Sequence, residues 1–203
     1  SKNYFLFRHF FNFLIFFISS IFFYLLLKKR FSRKLSIIGL LFLILSPRIF
    51  AESFYNMKDI IFLSFFIISI YFAITFLDTF SYKNAFLSSF SCSLLIATKV
   101  IGIITPFIVF VFFIMKSIDN MDYLKKNIIK LILFFLLLII FTIIFWPHLW
   151  NNPFTNFLHA LKTFSSHPWN GAIFYFGDYV SALNLPWHYP IVWILISIPI
   201  IYL

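Results

Sequence analysis

The sequence has a single cysteine, Cys92, set inside an apolar run. That excludes a disulfide framework and any cysteine-based zinc site within this chain. Charge is scarce too. Charged residues make up 11% of the chain, where a soluble domain carries ~25%. No Walker loop, nucleotide fingerprint, nucleophile elbow or zinc-protease motif occurs. No internal repeat is visible, so an inverted-repeat transporter finds no support. The first apolar run is not followed by a small-residue cleavage site, which argues against a secretory signal peptide.

What fills the chain is apolar surface. Hydrophobic residues reach 63% and the mean hydropathy is +1.01, against ~45–50% apolar residues in soluble proteins. No soluble core of this size hides so much Phe, Ile and Leu, so lipid has to be the solvent for much of it. The expected fold is all-α: a polytopic transmembrane helical bundle of about six to seven spans. Apolar runs cover residues 10–27, 35–45, 60–77, 85–97, 100–115 and 131–146, and a last one begins near Pro190. Several fall short of the ~20 residues of an ideal span, which buried helices tolerate. The fourth and fifth runs meet at Thr98-Lys99 and read either as a hairpin of short helices or as one broken helix. The expected organisation is a bundle over 1–146 with a short external segment at 46–59. An external amphipathic and aromatic segment follows at 147–189, and a further, truncated span starts at 190–203. The chain opens without Met and ends inside an apolar run, so it reads as a fragment of a longer protein.

The formal charge of +10 would suggest nucleic acid in a soluble protein, but here the cations sit between apolar runs and report topology. If the spans alternate, one face receives ten cations in clusters at 28–34, Lys83 and 116–130. The other receives six scattered ones: Lys2, Arg8, Arg48, Lys58, Lys99 and Lys162. The positive-inside rule puts the clustered set in the cytoplasm. The scattered external cations then need another explanation.

Three external segments carry unusual polar residues. In the first, 46–59, a continuous helix would place Arg48, Glu52 and Asp59 on one face as a charged ledge. Equally, Asn56 suits an N-cap with Asp59 in the first turn of the next helix. The other two, 146–153 and 167–190, hold His148, Trp169, Asn170, Trp187 and His188 among prolines and aromatics. All five tryptophans and four of the five histidines lie after residue 145. An interfacial aromatic belt explains Trp and Tyr alone. Imidazoles and amides beside them suit a carbohydrate or lipid-phosphate head group, with ring faces on sugar C–H surfaces. Between these segments Phe154, Phe157, Leu158, Leu161 and Phe164 recur at helical spacing, as in an amphipathic helix lying on a membrane. His148, His159, His167 and His188 form a weaker candidate metal set, lacking nearby carboxylates. Lys99 and Arg8 are either snorkelling anchors or partners of a phosphate.

The stretch SPRIFAESFYNMKDI resembles the second external segment of bacterial membrane glycosyltransferases related to the protein O-mannosyltransferases, glycosyltransferase family 39 of the GT-C superfamily. The stretches WPHLWNNPFTNFLHAL, HPWNGAIFYFGDYV and LPWHYPIVWILISIP are similar to the external region that follows in one bacterial branch. The resemblance implies an inverting enzyme in the cell (inner) membrane, active on the periplasmic or extracellular face. Its donor would be a polyprenyl-phosphate-linked sugar, its acceptor a glycan, lipid or protein; nucleic acid has no place. Asp59 matches the family's second acidic position and is the expected catalytic residue here, the main base falling upstream of Ser1. Arg48 and Lys58 match its basic neighbours, and Glu52, Lys99, Arg8 and the His/Trp/Asn set are the expected substrate-binding residues. A divalent metal is compatible with the superfamily, but no residue here demands one. The rivals are a transporter or flippase of lipid-linked sugars and a noncatalytic membrane subunit.

Overall fold

The computed structural model describes residues 2–118, 120–166 and 169–199. Nine α-helices are seen there: α1 (Lys2–Lys28), α2 (Arg33–Ile44), α3 (Pro47–Tyr55), α4 (Asp59–Thr79), α5 (Tyr82–Thr98), α6 (Ile104–Ile118), α7 (Met121–Phe145), α8 (Pro153–Ser165) and α9 (Tyr189–Ser197). Four stretches are long and apolar enough to cross a membrane: α1, α4, Val100–Ile118 and α7. A fifth is available if α2 and α3, bent by 63° at Ser46-Pro47, count as one span. The chain is therefore an all-α multi-pass membrane bundle.

α5 is the exception that organises the rest. It has 17 residues and a run of small polar side chains, with Ala85, Ser88, Ser89, Ser91, Cys92 and Ser93 all buried. Small side chains let neighbouring backbones approach closely, which is how helices associate where lipid removes the hydrophobic drive. α5 accordingly packs between α4 and α7. Its hydroxyls fold back onto their own helix: Ser89 Oγ donates to Phe86 O at 2.9 Å and Ser93 Oγ to Phe90 O at 2.7 Å.

Of the two readings of residues 85–115, the hairpin holds. α5 starts beside the C-terminal end of α4 and finishes at Lys99, which reaches Asp59 at the start of α4. A 3-10 turn, Val100–Ile103, reverses the chain, and α6 runs back until Lys116 Nζ donates to Leu77 O. Gly102 sits where an added Cβ would lie 2.7 Å from Leu95 Cγ and 2.9 Å from the Leu95 carbonyl carbon. Only a residue without a side chain fits this return. α7 is longer than its apolar run, because the polar stretch from Met121 is already helical, capped by Asn120 Oδ1 on Tyr123 N at 2.9 Å.

The core is aromatic. Phe76 stacks on Phe134 with centroids 5.4 Å apart, and Phe80 meets Phe76, Phe113 and Tyr123 at centroid distances of 4.7–5.5 Å. Phe80 closes α4 in the left-handed conformation, at φ 42°, a strained choice for a bulky residue. Burial of its ring among α4, α6 and α7 offsets the cost.

The two cation sets separate to opposite ends. Lys29 meets Thr75 and Asp78 at one end, with Lys116 near Leu77. Arg8, Arg48 and Lys99 occupy the other. The amphipathic helix expected from residues 154–164 is α8. The segment after it adds an unforeseen element, a small antiparallel hairpin of β1 (Ala172–Tyr175) and β2 (Asp178–Ser181). Phe176 and Gly177, both with positive φ, make its two-residue turn.

Phe76→Ala tests the packing. In lipid the transfer term largely falls away, so the void dominates. Loss of roughly 100 Å³ at about 24 cal/mol per Å³ gives a destabilisation of about 2 kcal/mol. Unfolding in mixed micelles measures it; an unchanged transition contradicts the core assigned here.

Candidate functional site

At the end of the bundle that carries the scattered cations, two chain reversals meet. One is the α3–α4 turn at 56–58, the other the α5–α6 turn at 99–103. Of the two readings of residues 48–59, the continuous helix with its shared face is corrected, since α3 stops at Tyr55, and capping by Asn56 is the one seen. Asn56 is the cause. Its backbone leaves the helix at φ −82°, ψ 91°, and its Oδ1 accepts the backbone N–H of Lys58 at 3.1 Å and of Asp59 at 2.9 Å. A short amide side chain competing with the helix ladder is what ends α3 and starts α4.

The ledge is nevertheless assembled through space. Asn56 Nδ2 donates to Glu52 Oε2 at 3.0 Å and to Asp59 Oδ2 at 3.1 Å. Glu52 Oε1 pairs with Arg48 Nε at 3.1 Å. Asp59 Oδ1 pairs with Lys99 Nζ at 2.5 Å. The result is a chain of alternating partners, Arg48–Glu52–Asn56–Asp59–Lys99. Capping and ledge were alternatives in the sequence, yet the same carboxamide does both, one atom for each.

Lys99 is held on two sides, its Nζ also lying 5.4 Å from the Phe62 ring centroid. The Asp59 and Lys99 side chains are 61% and 36% exposed, so the pair contributes at most about 1 kcal/mol to stability. It leaves further N–H groups of the ammonium available. The arrangement can therefore present fixed positive charge to an anion at the mouth of the bundle. Asp59 is less suited to accept a proton, since both its oxygens are engaged.

α3 is fastened from below by α1. His9 Nδ1 donates to Phe54 O at 2.5 Å; the carbonyl only accepts, so Nδ1 carries the hydrogen. Asn12 Nδ2 donates to Ser53 O at 2.7 Å, and Phe13 stacks on Phe54 at 5.1 Å. Arg8 joins this contact, Nε donating to Met57 Sδ at 3.0 Å, rather than the Asp59–Lys99 pair. The Lys58 ammonium has no partner among the described residues.

The later residues divide. His148 lies in a cavity of about 520 Å³ with Val100, Trp146, His159 and Thr163; Val100 directly follows Lys99. Trp169, Asn170, Trp187 and His188 belong instead to the hairpin region. There the His188 ring lies 6.0 Å from Tyr175 and 5.6 Å from Trp187. No hydrogen bond, ion pair or ring contact among the described residues joins these four to Asp59 or Lys99. No three metal-ligating side chains gather among the described residues, and His167 lies outside them. Sequence reasoning missed Asn56 as the hub and His159 as a cavity residue. The signal for Asn56 was present, four residues after Glu52 and three before Asp59.

A bundle of apolar helices ending in a fixed cation beside a carboxylate is a membrane protein with a charged cluster at its polar rim. Residues 7–146 match the family model of the dolichyl-phosphate-mannose-protein mannosyltransferases, and the chain belongs to that family. It is a membrane glycosyltransferase of the mannosyltransferase kind. The match ends at Trp146, so the aromatic and histidine-bearing stretches beyond it lie outside. No curated protein and no solved structure matches the chain.

Asn56→Ala removes a cap and the bridge between both carboxylates, and lowers stability by about 1–2 kcal/mol. Lys99→Gln, by contrast, costs at most about 1 kcal/mol. The order of the two melting shifts in detergent checks this; a larger loss for Lys99→Gln contradicts the hub role of Asn56.

Proposed function

We propose that this end of the bundle binds the phosphate of a polyprenyl-phosphate-linked sugar and stabilises it as the leaving group. Transfer is to an acceptor hydroxyl on the external face of the membrane. The observation that carries the reading is the Lys99 ammonium fixed by Asp59 and Phe62 at the mouth of the bundle.

The chemistry asks for this. The acceptor oxygen attacks the anomeric carbon of the sugar, and the bond from that carbon to the phosphate oxygen breaks. The acceptor proton passes to a base, and polyprenyl phosphate departs with an added negative charge. Cations already in place stabilise that developing charge without reorganising at the moment of reaction. Lys99 is the nearest candidate, Arg48 a second held through Glu52, and Lys58 a third whose ammonium is free to meet the donor. Asp59 acts by holding Lys99. That makes it essential while leaving proton removal to another group. Displacement from the opposite side of the ring inverts the sugar. The family's name makes mannose the first sugar to test, and the acceptor is a glycan, lipid or protein.

The separated charges support one orientation. The end bearing Lys28–Lys34, Lys83 and Lys116–Lys130 is cytoplasmic, and the Asp59–Lys99 end is periplasmic or extracellular.

Two measurements test this. In the natural protein, Asp59→Asn and Lys99→Gln each lower kcat for transfer from polyprenyl-phosphate mannose by at least about a hundredfold, with membrane insertion retained. Turnover near the wild-type rate in either variant reduces the pair to a helix cap. In intact cells a membrane-impermeant maleimide labels Lys58→Cys and not Lys83→Cys, the native Cys92 being fully buried. The reverse pattern places the site on the cytoplasmic face.

A further inference from the structure

The β1–β2 hairpin stands apart from the bundle. α7 brings the chain to the Asp59–Lys99 end, where Trp146 and Val100 wall one cavity. α8, with 13 residues, is too short to cross back, so the hairpin lies on that same side. No hydrogen bond, ion pair or ring contact among the described residues joins it to α1–α8. A two-stranded hairpin on its own is marginally stable in water, so this one needs a surface to lie on.

Its first support is α9. The register sets Phe174 opposite Tyr179 on one face, rings 5.4 Å apart. Tyr175 is on the other face and meets Tyr189, in the first turn of α9, at 5.2 Å. Phe174 and Phe176 then wall a cleft of about 210 Å³ with Val192, Trp193 and Ile196 of α9. Ile196 stands about 10 Å further along the helix axis than Tyr189, so the hairpin lies alongside the first two turns. α9 itself reads YPIVWILIS and has no buried residue. An apolar helix open on every side takes lipid as its solvent.

The outer rings of the hairpin continue that lipid-facing surface. Phe176 is 77% exposed, Tyr179 80% and Trp187 83%. An exposed apolar patch of this kind marks a contact surface, and Trp and Tyr rings prefer the boundary between lipid and water. Asp178 limits the depth. It is exposed and has no ion-pair partner among the described residues, and a bare carboxylate is costly in hydrocarbon. The turn can therefore enter the boundary layer and go no deeper.

We propose that the hairpin is a membrane-interface anchor: it lays Phe174, Phe176 and Tyr179 into the leaflet on the Asp59–Lys99 side, against α9, with Asp178 among the head groups. The partner is the lipid surface itself. This rests on the membrane bundle and is independent of the donor reading. It also gives Trp187, expected at the substrate, lipid head groups to meet instead.

The test places an environment-sensitive nitrobenzoxadiazole dye on Phe176→Cys or Tyr179→Cys in the natural protein, reconstituted in phospholipid nanodiscs. Native Cys92 is fully buried and stays unlabelled. At both positions the emission shifts to the blue relative to the dye in water. A nitroxide near the head of the acyl chain quenches it more strongly than one near the chain end, and aqueous iodide quenches it weakly. Water-like emission with strong iodide quenching puts the hairpin in solvent and overturns the anchor. Blue emission that neither nitroxide quenches shows a protein surface covering the rings, a second copy or another segment, and overturns it as well. Stronger quenching from the chain end overturns the depth set by Asp178, and disagreement between the two positions overturns the shared surface.

Discussion

The Asp59–Lys99 pair joins two chain reversals 40 residues apart, and the polar end of the bundle depends on that joint. Its energy is small, because both side chains are partly in water. Its effect is geometric. Lys99 is drawn back over Phe62, Asp59 is anchored by Asn56, and Asn56 ties both to Glu52 and Arg48. Five polar residues from three elements thereby hold one arrangement. Their worth to stability is modest, and the ring stacks of Phe76, Phe80, Phe113 and Phe134 hold the bundle together instead. Stability and site chemistry therefore sit on separate parts of the molecule.

That separation follows from the solvent. Inside lipid a charged group is costly, and the described spans accordingly bury Ser and Thr, whose hydroxyls mostly bond within their own helix. The ionisable residues are pushed to the ends, where they can meet a charged head group. α5 makes this workable. Its small residues let α4 and α7 close around it, and that packing brings the end of α5 to the start of α4, where Lys99 finds Asp59.

Composition alone made the bundle legible, since 63% hydrophobic residues require lipid as the solvent for much of the chain. The bend at Ser46-Pro47 was legible too, because proline cannot continue α2. The site was legible in its members and not in its geometry. Arg48, Glu52, Asp59 and Lys99 stood out as charges beside apolar runs, but neither a continuous helix nor a cap alone describes how they meet. Side-chain competition by Asn56 decides that, and helical spacing does not register it. Nor was the pairing of Asp59 with Lys99 written in any local pattern; it comes from the tertiary return of α5 along α4. The β-hairpin escaped notice because Phe176 takes a left-handed position that usually goes to Asn or Gly. Arg8, left in the sequence as an anchor or a head-group partner, packs on Met57 beside α3.

The central claim is that Asp59 and Lys99 act on the donor as one unit, the carboxylate serving to place the ammonium. A double-mutant cycle on kcat/KM for transfer from polyprenyl-phosphate mannose measures this directly, using Asp59→Asn, Lys99→Gln and the double variant. Acting as one unit, the pair gives a double variant no slower than the slower single variant. Losses that multiply would show two residues working independently and contradict the account.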